Sequence, residues 1–315
     1  SGLYKAELQG SQLQQQATAS EIKAQVQYWY YQLQYLQTTK KQLQSLDSLY
    51  NDFVNAAALR YKTGETNLLE KTTAETKRGQ LSLLLKQNET DYSTAYNSLK
   101  TLMNTREEFT IENSGNFQPL VMSNSFDTTL IVNNPSLKVL YQQAVIAEQN
   151  KKVETASAMP DLNVGYFNQS LIGVQNINGA DVNFDGSKRF QGFNVGLSIP
   201  ITFFSNASKV KSLSYKQQAL QTEADNGKLI LQSQLQNAFQ QYNQNLSQYN
   251  YYKSTALPNA EIIISTAKVG FKSGDIGYIE YLQALQTATD VQLNYLQSIN
   301  LINQSIVNIN FLINK

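Results

Sequence analysis

The sequence predicts a mainly α fold with a small β part: two tandem repeats of long coiled-coil helical hairpins plus a β-hairpin of membrane-crossing length. Three observations predict it. The chain is similar to itself at a displacement of about 210 residues; apolar residues recur at a 3.5-residue period through four arms; and one short stretch changes to period two.

The repeat is anchored at two short segments. Arg60-Tyr61-Lys62-Thr63-Gly64-Glu65 is answered by Gly270-Phe271-Lys272-Ser273-Gly274-Asp275, and Leu69-Glu70 by Ile279-Glu280. Aromatic, lysine, hydroxyl, glycine and acid recur in order, the signature of a duplicated structural unit. Downstream, Leu81, Leu99 and Leu102 fall opposite Val291, Ile309 and Leu312. Upstream, Val26, Trp29 and Tyr30 pair with Leu235, Ala238 and Phe239 once one residue is inserted near Pro258.

Each half therefore reads as arm, glycine-centred tip, arm. The second arm places Leu81, Leu85, Asn88, Tyr92, Ala95, Leu99 and Leu102 at spacings of 4, 3, 4, 3, 4 and 3, a coiled-coil seam. Val26, Trp29, Leu33, Leu36, Lys40 and Leu43 form the first seam. The third is Leu235, Ala238, Tyr242, Asn245, Tyr249, Tyr252 and Ala256, and the fourth runs Val291, Tyr295, Ser298, Ile302, Ser305, Ile309 and Leu312. A sustained 3.5 period implies left-handed supercoiling. An arm of roughly 50 residues reaches roughly 75 Å, far beyond what a globular core needs.

Three segments follow: residues 1–111 as the first hairpin, 112–134 as an irregular linker packed outside the helices, and 135–315 as a second, complete repeat. Asn134 reads as the N-cap of a helix beginning at Pro135, and Met159-Pro160 ends that helix near Ala158. A β-hairpin is expected at 161–200. Phe193, Val195, Leu197 and Ile199 alternate with Asn194, Gly196 and Ser198, and ten residues suffice for a tilted membrane strand. Leu162, Val164 and Tyr166 offer the antiparallel partner, leaving Ser170 to Arg189 as a long outward loop.

Composition excludes much. The 315 residues hold no Cys and no His, removing thiol nucleophiles, imidazole bases and the usual transition-metal ligands. An enzyme is not expected, nor a cofactor or bound metal; Met103, Met122 and Met159 are too scattered for a metal relay. A net charge of +1 gives no basic field for nucleic acid. No run of 18 apolar residues exists, which leaves a β-barrel as the route into a bilayer.

Asn134-Pro135-Ser136-Leu137, Met159-Pro160-Asp161-Leu162 and the two tips, set in this grammar, resemble the TolC-type outer membrane efflux protein family over residues 3 to 313. The resemblance implies a homotrimeric α/β-barrel duct, with hairpins in the outer-membrane lipid and helices extending through the periplasm. It implies as partners a periplasmic adaptor protein and a proton-driven inner-membrane transporter, the duct itself being passive. The family's first helix and first hairpin should precede Leu3, so the chain is expected to be the C-terminal part of a longer protein. The segment from Tyr61 to Glu70 also looks like that of heavy-metal exporters, which suggests metal cations as cargo.

By the same resemblance, Tyr61, Lys62, Gly64 and Leu68 on one tip and Phe271, Lys272, Gly274 and Tyr278 on the other dock the adaptor. Any helical hairpin needs a glycine at its turn; two matching tips favour docking. Glu70 and Glu280 occupy the place of the periplasmic gate, where symmetry-related copies would form a cation-attracting ring. The alternative for each is an acid favoured by the helix dipole, and Gln283 and Thr73 stand where a second acid often sits. Tyr28, Trp29, Tyr30 and Tyr31 are expected to cover a helix interface. A coiled-coil interaction protein without a pore is the alternative to a duct, and a strand with one apolar face argues against it.

Overall fold

The computed structural model describes residues 2–111, 117–122, 127–199 and 203–315. Parts of the expected linker, 112–116 and 123–126, and residue 200 at the end of the expected hairpin lie outside the described residues. The helices are α1 (Gly2–Lys62), α2 (Leu68–Leu102), α3 (Pro135–Ser157), α4 (Phe203–Tyr251), α5 (Leu257–Ser273) and α6 (Tyr278–Ile313). Between α3 and α4 lie β1 (Asp161–Gln169), β2 (Gly173–Ile177), β3 (Ala180–Phe184) and β4 (Phe190–Ser198). No described helix is long and apolar enough to cross a membrane.

The chain divides into two compact units, the first comprising Ser1–Gln12 and Val139–Asp225, the second Leu13–Lys138 and Asn226–Lys315. In the second unit the expected seams are turned inward. Leu33, Leu36 and Leu43 on α1 and Leu81, Ala95 and Leu99 on α2 are buried. Lys40, the charged member of the first seam, stretches to Glu89 at 2.8 Å, and Arg78 joins Asp47 across the same two helices at 3.2 Å. On α6 the buried surface is wider than one seam: Ser298, Ile302, Ser305, Ile309 and Leu312 are joined by Ile299, Asn303, Ile306 and Ile313. Each fully buried aliphatic side chain contributes roughly 1.5–3 kcal/mol.

Three buried amides along these helices are bonded individually, whereas the Asn88 carbonyl oxygen on the second seam is buried without a partner. Asn245 donates to the Ser305 hydroxyl at 2.8 Å, Asn300 to Gln32 at 2.9 Å, and Asn134 to the Leu312 carbonyl at 3.0 Å. Such groups cost free energy in any register that leaves them unpaired, so they specify the alignment of the helices. Asn134 also accepts from the N–H groups of Ser136 and Leu137, which caps α3 as expected.

The one-residue insertion has a structural counterpart. Val26 to Leu235 is a displacement of 209, Arg60 to Gly270 one of 210, and the extra residue is absorbed by a π-turn at Tyr252–Ala256, directly before Pro258. A π-turn widens the helix by one residue per turn without breaking it.

Two expectations are corrected. The described part of the linker is not irregular throughout: Thr128–Asn133 form a 3₁₀ helix capped by Asp127, and Phe117 and Ile131 pack on the helices in the same apolar cluster as Leu235, Ile299 and Ile302. The Leu120 amide donates to Asn303 at 2.7 Å. A few apolar residues in a polar background are enough to anchor the segment on those helices. The stretch from Ser170 to Arg189 is not a plain loop either; it holds the β2 and β3 hairpin, reversing at Asn178 and Gly179, both at positive φ. Asn-Gly is the strongest short-range signal for that turn.

The aromatic cluster is divided. Trp29 and Tyr31 are half-buried while Tyr28 and Tyr30 are exposed, because four consecutive helical positions span about 300° and cannot share one face.

Candidate functional site: the helical tips and the strand hairpin

Both tips close in the same way. Gly64 and Gly274 sit at φ +80° and +82°, a conformation that strains any residue with a Cβ. The Glu65 and Asp275 amides each donate back to Arg60 and Gly270, both at 2.8 Å, and the next amides, of Thr66 and Ile276, follow at 3.3 and 3.2 Å. The duplication thus extends to individual hydrogen bonds.

Beyond the turn the tips diverge. In the first, Asn67 caps α2 by accepting from the Glu70 amide at 3.1 Å. The Glu70 carboxylate, only 2% exposed, is held by Arg60 at 3.2 Å and by the Thr66 hydroxyl. In the second tip, Gly270 and Ile276 stand at the positions of Arg60 and Thr66. Glu280 is therefore exposed, and it caps α6 by accepting from the Gly277 amide at 2.7 Å. One acid is an internal strut; its counterpart faces solvent.

Arg60 also lies over the Phe271 ring at 5.5 Å, so it touches both hairpins. Phe271 stacks on Tyr281 at 4.6 Å, and Phe53 meets both rings edge-on. These rings floor a cleft of about 720 Å³ whose rim carries Asp52, Arg60, Glu65, Lys268, Lys272 and Asp275. Side chains of both charge signs thus line the cleft beside its aromatic rings.

Of the docking residues named from the sequence, Tyr61, Lys62, Gly64, Leu68, Lys272 and Gly274 are exposed, whereas Phe271 and Tyr278 are half-buried against the tip core. Sequence reasoning missed Arg60, Phe53 and Tyr281. It also missed two exposed apolar pairs at matching positions, Leu59 with Val269 and Leu69 with Ile279. The signal was available: apolar residues off the seam, repeated at the same displacement.

Because Glu70 is buried and Glu280 is not, the two acids should respond differently to removal. Glu70→Ala is expected to cost about 2–4 kcal/mol, through two lost charge-assisted bonds and an unpaired Arg60. Glu280→Ala should cost under about 1 kcal/mol, the range of a lost cap. Urea unfolding midpoints check this, and equal losses would refute the asymmetry.

The second element is the β1 and β4 pair. Leu162, Val164 and Tyr166 lie opposite Leu197, Val195 and Phe193, and all six are exposed on one face. On the other face Asn163, Gly165 and Phe167 oppose Gly196, Asn194 and Gly192. A side chain at Gly165 would collide with the Asn194 amide, and one at Gly192 with the Phe167 ring. Among the described residues the hairpin thus has an exposed apolar side, and an opposite side made of Asn and Gly residues with Phe167 among them, a two-faced pattern like that of membrane barrel strands.

A strap runs back along α2. The Phe109 ring stacks on Tyr96 at 4.4 Å, and Glu108 accepts from Lys100 at 2.7 Å and from the Tyr96 hydroxyl. Those bonds hold the Glu108 carboxyl below the usual carboxylate range. Among the described residues no cluster of acids is placed to hold a metal ion.

Paired coiled-coil hairpins and a strand pair with one apolar and one largely polar face define the class of the fold. The chain belongs to the outer membrane efflux protein family, which residues 128–315 match. Family membership places it in the outer membrane with its helical arms as the periplasmic extension; the family is one of channels, not of enzymes. No curated protein matches the sequence. Among solved structures, the chain is similar to the outer-membrane channel OprN, with 14% identity over 99% of this chain and 70% of that one, at a TM-score of 0.81. CusC, described in terms of transmembrane channel formation, gives 13% identity, 99% and 72% coverage and a TM-score of 0.82. VceC of Vibrio cholerae gives 15%, 99% and 74%, with a TM-score of 0.80. Identities this low establish a shared fold.

Proposed function

We propose that this chain is a wall segment of a homotrimeric export duct that crosses the periplasm and the outer membrane. The observation that carries the reading is the bare apolar face of β1 and β4, which water disfavours and lipid satisfies. The other face, with Asn163, Gly165, Asn194 and Gly196, suits a water-filled interior. The duct is passive and takes its energy from a proton-driven inner-membrane transporter.

A periplasmic adaptor docks at the tips. Tyr61, Lys62, Gly64 and Leu68, with Lys272 and Gly274, supply the exposed contacts; Phe271 and Tyr278 support them from beneath; and Leu59, Leu69, Val269 and Ile279 add apolar grip. Glu280 is the gate residue: three exposed copies would form a ring attractive to cations. Glu70, spent on Arg60 and Thr66, serves the tip from inside. Heavy-metal cations are the proposed cargo, resting on the likeness of the Tyr61–Glu70 segment to metal exporters.

Planar-bilayer conductance of the protein, beside its Glu280→Gln variant, tests the reading. A steady pore whose cation preference falls in the variant supports both duct and ring. An unchanged preference reduces Glu280 to a helix cap, and no conductance even with the adaptor present favours a coiled-coil rod without a pore.

A further inference from the structure

Between α1 and α2, well away from the tips, lies a groove of about 520 Å³ whose walls carry no charge. Gln25 and Trp29 line it from α1, and Thr94, Asn97, Ser98 and Thr101 from α2. Trp29 is the chain's single tryptophan. It packs against the buried cluster of Leu33, Ala95 and Leu99, and Tyr28 meets it edge-on at 4.9 Å, so its ring is held in place.

The polar side has a defined hydrogen-bonding sense. Thr94, Ser98 and Thr101 donate to the carbonyls of Thr90, Thr94 and Asn97 at 3.0, 2.9 and 2.8 Å. Their hydroxyl oxygens are thereby left as acceptors toward the groove. Asn97 is exposed and offers a donor and an acceptor together. From Thr94 to Thr101 the row covers about 10 Å of helix.

A ligand matching these walls is neutral, rich in hydroxyl donors, longer than one ring, and apolar on one face. Anions find no cation here, and an acyl chain would cover the row of acceptor oxygens and the Asn97 amide without offering them a hydrogen bond. A pyranose chain meets every condition: its C–H face stacks on the fixed indole, its hydroxyls donate to the row, and an acetamido group pairs with Asn97. The helical arms lie in the periplasm, where the wall polymer has this chemistry.

We propose that this groove binds a neutral, N-acetylated amino-sugar strand, holding the arms in the cell-wall layer. The proposal rests on the periplasmic location of the arms and not on conductance, which should stay unchanged whichever way it falls. Trp29 serves as its own reporter. Titrating the protein with tetra-N-acetylchitotetraose should shift Trp29 emission saturably, and maltotetraose, lacking acetamido groups, should not. Asn97→Ala, an exposed change whose folding circular dichroism verifies, should weaken binding about tenfold, the worth of one good hydrogen bond. No saturable shift, an equal response to both sugars, or unchanged affinity in Asn97→Ala overturns the proposal.

Discussion

Val195→Arg is expected to abolish insertion into bilayers while leaving the helical arms folded. Val195 is 72% exposed and pairs with Val164 in the middle of the apolar face. A nine-residue strand rises about 30 Å, so this position falls near the bilayer midplane. Arginine on the lipid side there costs about 2–4 kcal/mol, and a trimer multiplies it to roughly 6–12 kcal/mol. Asn163→Arg is the matched control. Asn163 lies on the opposite face across from Gly196, which leaves room for it, so a water-facing arginine should be tolerated. Co-flotation of both variants with liposomes separates the outcomes. If Val195→Arg floats as well as the control does, the apolar face is not the lipid face.

The helical grammar was legible because period and burial follow one geometry. Leu33, Leu36, Leu43, Leu81, Ala95 and Leu99, named from spacing, are all buried. So was the register break near Pro258, since one residue too many in a helix has few remedies and a π-turn is the mildest. The pairing of β1 with β4 followed from alternation on both strands. The β2 and β3 hairpin was missed because attention to polarity hid its strongest mark, Asn178-Gly179 at positive φ.

The tips were half legible. Their turns follow from Gly64 and Gly274, whose backbone conformation glycine accommodates without cost. The fate of Glu70 and Glu280 did not follow, although the clue lay ten residues earlier: Arg60 in one repeat and Gly270 in the other. A carboxylate goes inside only with a partner for its charge, and only the first tip supplies one. Comparing where the repeats differ would have separated strut from exposed acid; comparing where they agree led to treating both as gate residues.

Phe53→Ala should have the largest effect on stability at the tips. Phe53 is 1% exposed and meets the rings of Phe271 at 5.8 Å and Tyr281 at 5.3 Å, so it joins α1 to α5 and α6. Truncating a buried phenylalanine costs about 3–5 kcal/mol, because the lost transfer energy is added to an unfilled cavity. Here the cavity would open beside the tip cleft, whose lining includes all three rings. Phe53→Leu, which keeps most of the volume, should lose much less. The change ought also to be local: amide hydrogen exchange should speed up around Gly274, whose hairpin has no buried ion pair, more than around Gly64, where Arg60 still holds Glu70. Equal acceleration at both tips would mean that the aromatic joint, and not the ion pair, keeps the first tip closed. Unchanged exchange at either tip would show that Phe53 is not the joint at all, and the two hairpins would then be held together by their seams alone.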